Sequence, residues 1–69
     1  MYENLQFEII KQKLTIRKIS EDLQWNYDTL RNKLNGDSDW WRNEMFSLQE
    51  KYFKNCTLEY LFKFQKKDN

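Results

Sequence analysis

Sixty-nine residues make one domain, close to the lower limit for a core that folds without disulfide or metal staples. A single cysteine, Cys56, and the absence of histidine exclude an internal disulfide and a credible zinc ligand set, so the core must be apolar, with the twelve aromatics expected to supply much of it. The net charge of +1 is small for a nucleic-acid binder, but Lys11, Lys13, Arg17, Lys18, Arg31 and Lys33 crowd together, with Asp37, Asp39 and Glu44 immediately behind them.

One glycine and no proline, beside many Leu, Ile, Lys, Glu and Gln, favour helices with short connections and make all-α the expected fold class. No apolar run approaches the ~20 residues that span a bilayer, and no charged start followed by an apolar block reads as a signal peptide. With its lone thiol, the chain fits the cytoplasm.

The first predicted helix lies within Glu3 to Lys13, where Leu5, Ile9 and then Leu14 form a stripe at helical spacing, Phe7 and Ile10 are also apolar, and Lys11 and Lys13 suit the negative end of the helix dipole. Thr15 is a good N-cap for a second helix, about Ile16 to Gln24, with Ile19 and Leu23 inward and Arg17, Lys18, Glu21 and Asp22 toward solvent. Asn26 caps a third helix whose core residues are Leu30 and Leu34 and which ends at Asn35-Gly36, where glycine accepts the left-handed conformation.

Asp37 to Trp41 reads as a loop. A fourth helix follows, about Arg42 to Phe53, marked by Met45, Leu48 and Phe53 with Phe46 and Tyr52; its cap is weak, since Trp40, Trp41 or Asp39 must serve. Of the two tryptophans, one is expected in the core and one partly exposed. Thr57 caps a last helix from Leu58 to about Phe64, with Leu58, Leu61 and Phe62 inward. Residues 1–64 are thus read as one domain of five short helices, and residues 65–69 as a polar, frayed tail.

The second and third helices are joined by only a few residues, an arrangement that can present one helix to the major groove while its predecessor crosses the backbone. The groove is about as wide as one helix with its side chains, so a reading helix must be short, free on one face and held from behind. The third helix fits, with Leu30 and Leu34 holding it and Tyr27, Asp28, Arg31 and Asn32 pointing elsewhere.

In LTIRKISEDLQWNYDTLRNKLNG, Leu14-Thr15 opens helix two, Ile19-Ser20 fills an apolar-then-small position, Leu23 precedes the turn and Leu34-Asn35-Gly36 closes helix three. This stretch resembles the Cro and repressor-like helix-turn-helix domains of temperate phages and bacterial regulators, the XRE family. MYENLQFEI, NEMFSLQEKYF and TLEYLF extend the likeness to a small phage-encoded subgroup over most of the chain. The resemblance implies a lambda-repressor-like fold and a transcription regulator, a repressor of Cro type, that occupies a pseudo-palindromic operator in double-stranded DNA and occludes polymerase. It further implies a weak homodimer through the last helices, or one formed only on DNA.

Carried over by position, the resemblance puts base reading on Tyr27, Asp28 and Asn32, with Thr29 and Arg31 assisting. Phosphate contacts fall on Thr15, Ile16 and Asn35, and among the basic residues on Arg17, Arg31 and Lys33. The chemistry is sound: asparagine pairs bidentately with adenine, aspartate accepts from the cytosine amino group, threonine offers a hydroxyl or methyl, and arginine reaches guanine or phosphate. The chain departs from the family at Ile16 and Gln24, where glutamine and glycine are usual, at the apolar pair Ile9 and Leu34 in place of an ion pair, and at the acidic loop of Asp37 and Asp39.

Without histidine, a glycine-rich phosphate loop or a nucleophile motif, the chain is not expected to be an enzyme or to need a cofactor or metal. A different class of function stays open: the same fold used as a protein interaction module, an antirepressor or adaptor, through its tryptophans and acidic loop.

Overall fold

Ile9, Ile19, Leu30 and Leu48 are all buried, and each comes from a different helix of an all-α arrangement. The computed structural model describes residues 2–64, so the predicted tail at 65–69 lies outside the described residues. Among the described residues five helices follow one another: α1 (Glu3–Lys11), α2 (Ile16–Leu23), α3 (Tyr27–Asn35), α4 (Arg42–Tyr52) and α5 (Leu58–Leu61).

Local chemistry sets most boundaries. Thr15, Asn26 and Thr57 each accept a backbone N–H of the first turn, from Lys18, Thr29 and Tyr60 respectively. The indole at the N-cap of α4, Trp41, offers no such acceptor; instead the Glu44 carboxylate reaches back and accepts the Trp41 N–H at 2.9 Å. Helix one ends at Lys11 rather than Lys13 because Lys13 turns left-handed, φ 58°, which lets the Leu14 N–H reach the Ile9 carbonyl and brings Leu14 back onto the core. Gln24 does the same after α2 at φ 57°, in the position where glycine would be less strained.

The core is more aliphatic than the composition implies. Leu5, Ile9, Ile19, Leu30, Leu34, Leu48 and Leu61 surround Phe53, the one aromatic buried among them, while Leu23, Met45 and Leu58 are half-buried. Five of the other aromatics gather at the rim: Tyr2, Trp25, Trp40, Phe62 and Phe64 meet edge-on or tilted, with centroids 5.0–6.4 Å apart, and bind the start of the chain to the loop before α4 and to residues after α5. Helix α5 ends at Leu61, with Phe62 as its C-cap, before the expected Phe64.

Side-chain bonds join helices distant in sequence. The Tyr60 hydroxyl donates to the buried Glu8 carboxylate at 2.9 Å, tying α5 to α1; the Gln12 amide donates to the Tyr52 carbonyl at 2.7 Å; and the Tyr52 hydroxyl donates to Asp22 at 2.6 Å, tying α4 to α2. Burial and the Asp22 carboxylate push the Tyr52 phenol well above its ordinary pKa. The bond from that hydroxyl, assisted by the charges of Lys18 and Lys51, holds the Asp22 carboxyl below the usual range.

Candidate nucleic-acid interface

Helix α3 turns Leu30, Lys33 and Leu34 inward, and that orientation determines which residues it leaves free. At 3.6 residues per turn, Asp28, Arg31, Asn32 and Asn35 follow the i, i+3, i+4, i+7 rule and line the face opposite the core. Tyr27 and Thr29 stand on the two flanks of this stripe. Tyr27, Asp28, Thr29, Arg31 and Asn35 are exposed, and Asn32 is half-buried.

Within the stripe the Arg31 guanidinium lies 3.8 Å from the Asp28 carboxylate, an exposed i, i+3 pair that a competing phosphate or base edge would open at small cost. The side chains at the flanks differ in freedom. Thr29 gives its hydroxyl to Asn26 at 3.3 Å while its N–H uses the same oxygen at 3.0 Å, so the threonine is already engaged in the cap. Tyr27, the first residue of the helix, presents its ring outward.

Helix α2 packs against α3 across Gln24, Trp25 and Asn26, with Ile19 and Ser20 buried between them. The Ser20 hydroxyl donates to the Arg17 carbonyl at 2.8 Å, which lets a polar side chain sit in this close contact. At the start of α2, Thr15 is occupied as a cap, and Ile16 packs its side chain against the core. What remains toward solvent there is the backbone N–H of Ile16 and of Arg17 at the positive end of the helix, with the exposed Arg17 side chain beside them.

Lys33 differs from its expected role. Its ammonium is paired with the Glu44 carboxylate, with side-chain exposures of only 10% and 21%, and lies 5.6 Å from the centre of the Trp41 ring. Spacing explains this: Lys33 stands three residues after Leu30 and one before Leu34, on the core side of α3, so it faces α4 and not the free face. Glu44 thereby serves twice, binding Lys33 and capping α4 through the Trp41 N–H. Lys18 is also engaged, 3.2 Å from Asp22. Of the basic cluster, Lys11, Lys13, Arg17 and Arg31 remain exposed without a partly buried counter-charge.

Sequence reasoning overlooked two charged residues at core spacing. Glu8 sits with Leu5 and Ile9 as Lys33 sits with Leu30 and Leu34, and both are buried and paired. That repeated i, i+3, i+4 pattern was the available signal. After Gly36 the loop carries Asp37, Ser38 and Asp39 exposed, and Trp41, soon after them in the chain, is 68% exposed. Trp40 turns the other way, into the aromatic rim.

No family model matches the chain, and neither a curated protein nor a solved structure is significantly similar to it.

Proposed function

We propose that the chain is a sequence-specific double-stranded DNA-binding transcription regulator of phage Cro or repressor type, using a lambda-repressor-like helix-turn-helix whose α3 enters the major groove. The observation that carries this reading is the polar stripe of Asp28, Arg31, Asn32 and Asn35 on a short helix held from behind by Leu30 and Leu34 and by α2. A stripe of this kind can read base edges: Asn32 an adenine, Asp28 a cytosine, Arg31 a guanine, with Tyr27 at the groove edge. Arg17 and the free N–H groups at the start of α2 would hold a phosphate, as would Asn35 at the end of α3. A regulator of this type works in the cytoplasm, one copy on each half of a pseudo-palindromic operator, and acts by occluding polymerase.

The test is random-oligonucleotide selection with the purified chain, followed by titration of the selected duplex at two salt concentrations. The expected result is an enriched half-site and a logarithmic salt slope of roughly −0.9 for each phosphate neutralised. No enrichment, together with no binding at the lower salt, would reject the proposal.

One observation favours a second reading, that the fold binds a protein. Asp37, Asp39 and the exposed Trp41 form an acidic aromatic surface beside the end of α3, where repulsion opposes a phosphate. An interaction module of this kind would show no duplex affinity at either salt concentration.

A further inference from the structure

The outer face of α1 is apolar where the fold gives no reason for it. Phe7 is 58% exposed and Ile10 73% exposed, three residues apart and therefore adjacent on the helix, opposite the buried Leu5, Glu8 and Ile9. The Lys11 ammonium lies 6.0 Å from the centre of the Phe7 ring and so belongs to the same face. Glu3, also exposed, completes it at the other end.

We propose that this face is the contact between two copies of the chain, formed by α1 packing antiparallel on α1 of the second copy about a two-fold axis through Phe7. Charge complementarity selects the second copy as the occupant. Glu3 and Lys11 stand four residues to either side of Phe7, about 6 Å along the helix in each direction. An antiparallel pairing centred on Phe7 therefore sets Glu3 of each copy against Lys11 of the other, twice, while the Phe7 rings stack at the axis and each Ile10 covers the neighbouring ring. A parallel pairing in register would oppose like charges. The near-zero net charge leaves little long-range repulsion between copies, and a two-fold contact is the usual form of self-association.

Two apolar side chains and two ion pairs bury less than the ~1,200 Å² of a standard interface, so the dimer is weak and forms with concentration. The contact does not rest on the DNA reading, and its test contains no DNA.

Sedimentation equilibrium of the full chain is followed from about 10 µM to about 1 mM, where a contact of this size dissociates. Glu3→Lys sets two lysines against each other and Lys11→Glu two glutamates; each variant alone should associate at least about tenfold more weakly than the parent. An equimolar mixture of the two restores both pairs, since one copy then carries only lysines and the other only glutamates at these positions, and should recover association. The mixture is measured again at 0.5 M salt, where the recovery should shrink. Ile10→Lys should abolish association, and unchanged circular-dichroism melts show that the variants fold. A parent that stays monomeric, singles that associate like the parent, or a mixture that stays monomeric would each overturn the proposal.

Discussion

Lys33→Ala is the perturbation that best separates the two roles open to this lysine. If Lys33 holds α3 against α4, its loss strands the Glu44 carboxylate in a site where its side chain is only 21% exposed. Breaking one side of a fully buried pair costs about 3–5 kcal/mol, and an exposed pair is worth about 0.2–1 kcal/mol. At 10% and 21% exposure the pair lies nearer the buried limit, and Glu44 keeps the Trp41 N–H at 2.9 Å as a remaining partner. The expected cost is therefore about 2–3 kcal/mol. Glu44→Ala removes the cap as well and leaves the ammonium alone, for about 3–4 kcal/mol. Lys33→Met with Glu44→Gln removes both charges while glutamine retains the cap acceptor, and should fall within about 1 kcal/mol of the parent. Urea unfolding followed by far-ultraviolet circular dichroism measures all the variants, and the coupling read from the cycle of Lys33→Met, Glu44→Gln and the double variant should be about 3 kcal/mol, changing little in 1 M salt. Additive single effects, with a coupling below about 0.5 kcal/mol, would refute the reasoning and return Lys33 to the solvent.

Three further outcomes follow from the same structure. Gln24→Gly relieves a left-handed residue at φ 57° and should stabilise by about 0.5–1 kcal/mol, a rise of several degrees in the melting temperature; a fall would mean that the side chain of Gln24 has a role. Gly36→Ala should cost about 1–2 kcal/mol, because φ is +88° and an added Cβ would stand 2.7 Å from the Phe64 ring; repeating the substitution in a Phe64→Ala background should recover part of the loss in thermal melts. Asp22 has a depressed pKa in the folded state, so its bond to Tyr52 contributes stability above the ordinary carboxylate range and loses it as pH falls through the folded value. The stability difference between the parent and Tyr52→Phe should accordingly be flat from about pH 5 to 7 and shrink below about pH 4. For Tyr52 itself the raised pKa acts in the opposite direction: stability is intact below the ordinary phenol value and declines above about pH 10. An acid limb identical in parent and variant would remove Asp22 as its source.

What could be read in the residues was what depends on neighbours three or four positions away. Thr15, Asn26 and Thr57 announce helix starts because an oxygen on a short side chain reaches the N–H three residues on, and all three do so. Leu30 with Leu34 and Leu5 with Ile9 announce the buried faces. At Gln24 the residues showed only that glycine is usual in the resembling family; the positive φ itself came from the structure. The five-helix order and the free face of α3 could therefore be drawn with no partner known. The same spacing would have placed Lys33 and Glu8 inside, had charge not been taken as a sign of solvent.

Which partner each inward group meets was decided only by the tertiary structure. Lys33 finds Glu44, Glu8 finds Tyr60, and Tyr52 reaches Asp22; these pairs join different helices, and no local period encodes which helices lie side by side. The aromatics show the same division. Composition implies an aromatic core, yet only Phe53 is enclosed by the aliphatic cluster, because a core of short helices this small is filled by leucine and isoleucine and the larger rings close its rim. Phe7 and Ile10 lie at the limit of sequence reading: helical spacing sets them opposite Leu5 and Ile9, but only the tertiary structure shows that no other element among the described residues covers them.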